Sequence, residues 1–558
     1  MRNMRTKFII ISCLSSAILI LTSAACQGKP VSTTALTPSP GAPLVQFSTS
    51  HFAGSGNCAQ CHSNLKDSSG KDVSIDSQWR STMMANAAKD PYFLAKTASE
   101  VADLPALKAA IEDACATCHM PMARTQAVSD GKTVSVLGNG FINPSNDLNK
   151  AAIDGNSCTL CHQIQAAKLG QPDTFDGKYQ IDTSTSAPNR IEFGPFFNPL
   201  AGPMQSVVGF TPAQGDQRGS AGLCATCHTV YTPYVDSQGN VSGTFPEQTP
   251  YLEWASSIYG SNPGQQLACQ FCHMPPAGGS AAISNNPTTL APRSPLYLHQ
   301  FVGGNSLLLN IMQAHVQELG ITASSDQLQA TAGLTSSQLQ SRSAQITIVS
   351  SSIDDGSLKV TLSVVDQAGH KFPTGFPSRR AWIQFTVTDS TGKVVFESGK
   401  PNADGTIVGN DADAKSGAYE PHYDLITRSD QVQIYESIMR DTDGKATYNL
   451  LRGASYIKDN RLLPSGFNKA AAPADAGVYG DAKNDANFVG GSDQITYQIS
   501  LSGKGPYTVT AKLLYQGLSY QFSKAFQGSD SLITSFLSYY QSADKTPVLV
   551  SSVSKNLE

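Results

Sequence analysis

Cys58-Ala59-Gln60-Cys61-His62 has the pattern C-x-x-C-H, and this pattern determines how the first half of the chain is built. The pattern recurs at Cys115–His119, Cys158–His162, Cys224–His228 and Cys269–His273. C-x-x-C-H is the attachment signature of c-type haem: both thiols bond covalently to one porphyrin, and the adjacent histidine becomes the proximal iron ligand. The sequence therefore predicts five covalently bound haem c groups in a mainly α, loop-rich first half.

The predicted haem-binding residues follow directly from this spacing. Zinc knuckles and redox dithiols also contain C-x-x-C pairs. Zinc binds two such pairs per ion, so five pairs leave one over, and neither class needs a histidine after every second cysteine. The predicted thioether residues are Cys58, Cys61, Cys115, Cys118, Cys158, Cys161, Cys224, Cys227, Cys269 and Cys272, and the proximal ligands are His62, His119, His162, His228 and His273.

The composition limits the classes of function. A chain of 558 residues suggests roughly three to four domains. Its net charge of −4 provides no overall basic field, so we expect no nucleic-acid partner. Ten of the twelve cysteines lie in the motifs, and the other two are Cys13 and Cys26. No cysteine is left for a disulfide in the body of the protein, where the haems act as covalent staples.

Residues 1–25 have the features of a secretory signal peptide: a basic segment, an apolar run and small residues at the end. Cys26 fits a bacterial lipoprotein site, although Ser23 stands where leucine is usual. The alternative is ordinary cleavage near Ala25. Residues 26–50 are predicted to be a flexible tether. We therefore expect an exported protein in the periplasm or at the outer membrane and cell surface, attached to the membrane through lipidated Cys26.

Residues 51–325 are predicted to form the pentahaem domain. Five haems in this length leave too little polypeptide to enclose each haem separately, so we expect the haems to share walls. Short helices are expected among long loops. One is predicted over Trp79–Lys89, ended by Asp90-Pro91. Another is predicted over Asn305–Leu319, with Gly320 as its stop.

Five of the ten histidines lie outside the motifs. Five haems and five spare histidines would allow bis-histidine ligation at every iron. The predicted distal ligands are His370, His299, His422, His315 and His51. His370 lies in a loop bounded by Gly and Pro between two predicted strands, and such a loop can project a ligand into a neighbouring domain. His51 is too close in sequence to Cys58 to serve that haem, so we expect it to serve a neighbour.

Methionines are the rival ligands for these irons. Because Met is an adaptable gap-filler, we expect the methionines near the motifs to pack against haem edges instead. They are Met83, Met84, Met120, Met122 and Met274.

Residues 340–528 have a different periodicity. Leu358, Val360, Leu362 and Val364 alternate with polar residues, which is typical of half-buried strands. We predict a mainly β domain, an immunoglobulin-like sandwich with a long insertion over about Pro401–Gly491. Residues 529–558 are predicted to be a closing helix and tail. Asp-rich loops of the insertion could hold calcium, but solvated acids are the simpler account.

The layout resembles the bacterial multihaem cytochrome c superfamily, in its cytochrome c-552/4-like branch, as a pentahaem member with a C-terminal β-sandwich. The motifs carry the resemblance to haem proteins. Other stretches resemble the branch, namely Trp79–Ala87, His299–Asn305, Gly369–Gly375 with Arg379–Trp382, and Asp459–Arg461. The resemblance implies closely stacked haems, bis-histidine irons and electron transfer outside the cytoplasm.

Electron transfer is favoured over catalysis, because irons with both axial positions filled cannot bind a substrate. Two alternatives stay open. One is an oxidoreductase of the nitrite or hydroxylamine type with one open-site haem, although pentahaem nitrite reductases typically use C-x-x-C-K at that iron and this chain has none. The other is a subunit of an extracellular cytochrome filament. The expected partners are other redox proteins: cytochromes, an inner-membrane quinol oxidase or an outer-membrane conduit.

Overall fold

The computed structural model describes residues 41–558. The predicted signal peptide, Cys26 and most of the predicted tether lie outside the described residues. Within 41–558, no helix combines the length and the apolar character needed to cross a membrane. This part of the chain belongs to one compact unit.

Short helices, two small sheets and long loops make up the region of the five motifs. Its helices are α1 (Ser55–His62), α2 (Ile75–Trp79), α3 (Pro91–Asp103), α4 (Lys108–His119), α5 (Pro121–Ser129), α6 (Asn149–Ile153), α7 (Cys158–Cys161), α8 (Ala201–Val207), α9 (Ala221–Ala225), α10 (Pro250–Ala255), α11 (Ile258–Ser261), α12 (Cys269–His273), α13 (Ser306–Ala314) and α14 (Ser325–Arg342). Its strands are β1 (Arg190–Gly194), β2 (Phe210–Gln214), β3 (Val230–Val235) and β4 (Val241–Gln248).

The predicted helix over Trp79–Lys89 is wrong: after α2 the chain makes a series of turns. The side-chain amide of Asn86 donates to the carbonyl oxygens of two preceding residues, at 3.0 and 2.9 Å. Such side-chain bonds compete with the helical pattern. The carbonyl oxygen of Ala87 accepts from the His119 ring, 3.3 Å away. The segment is therefore shaped by a motif histidine that is distant in sequence.

The predicted helix over Asn305–Leu319 is present but shorter, as α13. The 18-residue helix α14 that follows was not predicted, because its Ser- and Gln-rich sequence has little apolar periodicity. Its start does carry a readable signal. The Ser324 hydroxyl accepts from the Gln327 backbone, and the Gln327 side chain accepts from the Ser324 backbone, which is a capping box.

The second half is rich in sheet, as predicted. Its elements are β5 (Ala344–Asp354), β6 (Ser357–Asp366), β7 (Arg380–Thr388), β8 (Val394–Ser398), α15 (Asp411–Ala414), β9 (Leu425–Ile426), β10 (Ile434–Arg440), β11 (Ala446–Thr447), β12 (Ser455–Asp459), β13 (Ser492–Ser500), β14 (Tyr507–Gln516), α16 (Tyr520–Lys524), α17 (Ser531–Ser542) and β15 (Val548–Leu557). One sheet has the strand order β11-β10-β7-β14-β15, with β12 on β10 and β8 on β7, and the other has the order β5-β6-β13-β9.

The two sheets share one apolar core. The alternating residues of β6 singled out in the sequence are all fully buried in it, as are their counterparts on β7. Phe385 of β7 stacks on Tyr497 of β13, with ring centroids 3.9 Å apart, and so joins one sheet to the other. The immunoglobulin-like outline stays a prediction.

The C-terminal end of the chain is part of the larger sheet. Helix α17 matches the predicted closing helix. The residues after it, predicted as a tail, include β15, which pairs antiparallel with β14. The loop between β6 and β7 carries His370, and its Phe372 is buried in this core. A Cβ atom at Gly369 in this loop would lie 3.2 Å from Tyr259 and 3.6 Å from Trp254, so the loop touches the motif-bearing region.

Candidate haem-binding site

The five motifs are numbered here one to five in chain order. Motifs one, two and five end helices α1, α4 and α12, motif three is α7 followed by His162, and motif four starts within α9. On a helical turn, residues three and four apart share one face. Both cysteines and the histidine of each motif are therefore presented to the same side.

All five motifs open into one continuous cavity of about 1900 Å³. A site for a single small molecule measures roughly 300–1,000 Å³, so this space suits several large groups side by side. Its lining includes the five motif histidines and every motif cysteine except Cys61. The expectation that the cofactors share walls agrees with a cavity that is not divided between motifs.

Backbone carbonyl groups orient four of the motif histidines. In each case the Nδ1–H group donates to a carbonyl oxygen, which leaves Nε2 as the atom free to bind a metal. The acceptors are Ile283 for His62 at 2.7 Å, Ala87 for His119 at 3.3 Å, Phe193 for His162 at 2.6 Å and Val302 for His273 at 2.5 Å.

Two spare histidines face motif histidines across a gap of defined width. The ring centroids of His162 and His299 are 6.4 Å apart, and those of His273 and His370 are 6.2 Å apart. An imidazole nitrogen binds a metal at about 2.0–2.1 Å, so two imidazoles on opposite sides of one metal have centroids about 6.3 Å apart. The centroid distances of both pairs would therefore allow the two histidines of each pair to hold one iron between them.

Burial keeps these imidazoles neutral. Loss of hydration lowers the pKa of His162 to about 3 and the pKa values of His119, His228 and His299 to about 4. The same cause lowers the pKa of His370. A neutral imidazole keeps the lone pair that metal binding requires.

A guanidinium group also lines the cavity, and some of its N–H groups have no hydrogen-bond partner among residues 41–558. Arg218 lines the cavity, and its Nη1 donates to the carbonyl oxygen of Cys161. Its Nε and Nη2 atoms are buried without a hydrogen-bond partner. Buried N–H groups normally have a hydrogen-bond partner, so these two atoms are able to donate to an acceptor on a bound group. A carboxylate such as a haem propionate would supply one, and in this respect too the residues fit the cofactor.

Thiols of different motifs lie beside one another. The interacting pairs are Cys58 with Cys158, Cys118 with Cys227, and Cys224 with Cys269. Cys161 of motif three is also within electrostatic reach of Cys227. Motif four is therefore next to motifs two, three and five, whereas motif one is next to motif three.

The structure does not bring the other three predicted distal ligands into the cavity. The His51 Nε2 atom is 2.6 Å from the Ser129 hydroxyl, on a segment packed beside α5. His315 follows α13, where it pairs with Glu318 and packs at a tilt against the ring of Tyr539, with centroids 4.0 Å apart. His422 lies in the sheet-rich half. Of the five predicted distal ligands, His299 and His370 face a motif histidine in the described residues. Distal ligation by His51, His315 and His422 stays a prediction.

His422 belongs to a buried polar cluster. Its Nδ1 atom accepts from the amides of Gln433 at 2.9 Å and Asn460 at 3.0 Å. Its Nε2 therefore carries the proton and donates to Asp485, 2.9 Å away. Asp493 lies near both residues, so the side chains of His422, Asp485 and Asp493 are close enough together to surround an ion. However, a metal-bound neutral imidazole must donate from its other nitrogen, which is here an acceptor. The cluster therefore gives no support to the calcium expectation.

Asp493 is expected to make stability depend on pH. Burial raises its pKa to about 6, and it accepts from the Tyr435 hydroxyl at 2.8 Å. Between about pH 4 and pH 6 the folded state binds a proton here that the unfolded chain does not, so the free energy of unfolding falls as pH rises. Relative to Asp493→Asn, the wild type should lose about 3 kcal/mol across this range, measured by urea denaturation at several pH values. Parallel profiles for the two proteins would contradict this.

The methionines divide into two groups. Met120 and Met122 are fully buried in an apolar cluster beside α4 and α5 and do not line the cavity. Met83, Met84 and Met274 do line it, together with Met204, which the sequence did not single out. Arg218, in the short 3-10 helix Asp216–Gly219, was also missed, because a lone arginine has no sequence pattern that marks it.

Comparisons with known proteins find a similar solved structure. No family model matches the sequence, and no curated protein matches it. Among solved structures, the chain is similar to a penta-haem cytochrome c552 from Thermochromatium tepidum. The identity is 16%, the match covers 90% of this chain and 98% of that chain, and the TM-score is 0.48.

Proposed function

We propose that this protein is a pentahaem c-type cytochrome, similar to the cytochrome c-552/4-like branch, that transfers electrons between redox partners outside the cytoplasm. The single observation that carries the proposal is one cavity lined by five C-x-x-C-H motifs. When bound there, haem supplies reversible one-electron chemistry at iron. The residues of the chain supply attachment, axial nitrogen atoms and spacing.

The histidine pairs support a carrier rather than a catalyst at two irons. His299 and His370 would hold the axial positions opposite His162 and His273, and thereby exclude a substrate there. The carbonyl groups that orient the motif rings limit how far each ring can rotate. Little rearrangement is then needed when the charge of the site changes, which favours fast electron transfer.

An oxidoreductase with an open site is the second candidate, and one observation favours it. Among residues 41–558, no histidine ring pairs with His62, His119 or His228 as His299 does with His162. The His119 ring instead lies flat against Phe93, with centroids 3.7 Å apart and planes 2° from parallel. At least one of these three motifs could therefore leave a position for a small substrate such as nitrite or hydroxylamine.

Partners and location are part of the proposal. We propose redox proteins as electron donor and acceptor, either cytochromes, an inner-membrane quinol oxidase or an outer-membrane conduit, and export to the periplasm or the cell surface. A lipid on Cys26 would attach the protein to a membrane. Assembly into a filament is the structural alternative, in which a neighbouring subunit would supply missing distal ligands.

Three measurements on the secreted protein test the proposal. Its intact mass should exceed that of the polypeptide by five haems, and a mass without added porphyrin would contradict every part of the proposal. Low-temperature EPR of the oxidised protein separates the candidates. Low-spin signals alone support a carrier, whereas a high-spin signal that shifts with nitrite or hydroxylamine supports the enzyme. Electron microscopy tests the structural alternative, in which the protein assembles into filaments.

A further inference from the structure

The loop that carries His370 has no regular structure to hold it. It connects β6 to β7, and the His370 Nδ1–H group donates to the carbonyl oxygen of Lys371 at 2.9 Å. This local bond orients the ring relative to its own loop. It does not set the distance to His273, which lies on α12 in the other half of the described chain. Some other contact must fix the loop against the motif-bearing region.

Four buried charged side chains lie directly behind this loop, and they define what we call the Glu253 network: Glu253, Lys371, Asp459 and Arg461. The Lys371 ammonium is 2.8 Å from Asp459. Arg461 makes two bonds to Asp459, at 2.9 and 2.7 Å, and lies 2.9 Å from Glu253. All four side chains are at most 5% exposed. The two positive and two negative charges balance.

Glu253 connects the network to both halves of the described chain. It lies on α10, yet its carboxylate accepts from the Lys371 backbone at 3.2 Å and from the Thr374 hydroxyl. The next residue, Trp254, donates from Nε1 to the carbonyl oxygen of Leu267 at 2.8 Å, just before motif five. One turn of α10 therefore holds the segments that carry both His370 and His273.

On the side away from Glu253, the loop is bonded to other segments of the sheet-rich half. The backbones of Phe372 and Leu462 exchange two hydrogen bonds of 2.9 Å, and Leu462 follows Arg461 directly. The Lys371 ammonium also donates to the carbonyl oxygen of Gly477 at 2.6 Å. The loop is thus fixed on both sides by partners distant in sequence.

A buried ionic network of this kind is a weak source of stability, because apolar side chains of the same size often serve as well. Its directional bonds are better suited to setting a position. The stretches Gly369–Gly375 and Asp459–Arg461, singled out in the sequence, meet in this network. The network lies next to His370, which faces His273. These two stretches are therefore suited to setting the position of His370.

We propose that the Glu253 network positions His370 for binding the iron of motif five, with Glu253 as the positioning residue that couples α10 to the ligand loop. This inference rests on the proposed function, since it assumes that an iron lies between His273 and His370. The network acts through the backbone of the loop, which includes the Lys371 carbonyl group that accepts from the His370 ring.

The test compares variants of the full haem-loaded protein by intact mass, low-temperature EPR and redox titration. Glu253→Gln should keep five haems but convert the low-spin signal of one iron in five to a high-spin or shifted form. Thr374→Val removes one bond to Glu253 without removing a charge, and should shift the same signal less. His370→Ala should abolish that signal. Asp413→Asn breaks the buried pair with Arg380, 3.0 Å apart and away from the cavity, and should leave the spectrum unchanged.

The outcomes separate the two levels of the proposal. If His370→Ala changes no low-spin signal, His370 is not a ligand, and this part of the proposed function fails. If His370→Ala changes the signal but Glu253→Gln and Thr374→Val do not, the positioning role alone is overturned. If Glu253→Gln fails to fold, Thr374→Val decides, because it leaves all four charges in place. An equal spectral change in Asp413→Asn would show a general effect of destabilisation and would also overturn the inference.

Discussion

Replacing Cys224 and Cys227 with serine is expected to remove one haem and to divide the remaining four into groups that exchange electrons slowly. Motif four contacts motif two through Cys227 and motif five through Cys224. Motif three lies next to it as well. Without a haem at motif four, the haems of motifs two and five should no longer have a neighbouring haem close enough for fast electron transfer. Intact mass should show four haems, and stopped-flow reduction should change from one dominant phase to several.

The matched control is the same change at motif one. Cys58 lies beside Cys158 of motif three, which places motif one next to motif three rather than motif four. Replacing Cys58 and Cys61 with serine should also remove one haem but leave the other four reducing together. Equal kinetics in the two variants would refute the central position of motif four. Both variants lose one cofactor from the shared cavity, so their stabilities should fall by similar amounts.

Replacing His299 with alanine is expected to change the spin state at one iron in five. His299 faces His162, with ring centroids 6.4 Å apart. Without it, the iron of motif three should become five-coordinate or bind water. Low-temperature EPR should show one low-spin signal replaced by a high-spin one. Added imidazole should restore the low-spin signal, because the cavity left by the side chain has the size of the ring.

His315→Ala provides the control for this change. His315 pairs with Glu318 and Tyr539 outside the cavity, so its removal should leave all five irons unaltered. A spectrum of His299→Ala identical to that of the wild type would exclude His299 as a ligand. A spectral change in His315→Ala would instead support the wider set of histidine ligands that the sequence suggested.

Local patterns in the sequence predicted those features that depend on neighbouring residues. The C-x-x-C-H spacing puts three groups on one face of a turn whatever the rest of the fold does, and the structure directs all five motifs to one space. The alternation of Leu358, Val360, Leu362 and Val364 likewise predicted a buried strand, because a strand has a fixed period of two. The sequence also predicted the closing helix, which is α17 (Ser531–Ser542).

Features that depend on distant residues were not predictable. The count of five spare histidines was equal to the count of motifs, yet a count has no information about distance. His422 is satisfied by Gln433, Asn460 and Asp485, which are separated from it by 11 to 63 positions. Trp79–Lys89 has a helical composition, but the carbonyl groups of Met84 and Ala87 accept from Asn156 and His119. In both cases long-range hydrogen bonds override the local preference.

The side-by-side thiols limit the order in which this protein can mature. In an oxidising compartment, two neighbouring thiols form a disulfide. Were the chain to collapse before porphyrin was attached, Cys58 and Cys158 would be cross-linked, and so would Cys118 and Cys227. Each cross-link would disable two attachment sites at once. If the protein carries the proposed haems, we therefore expect the cofactors to be attached before the chain brings these thiols together.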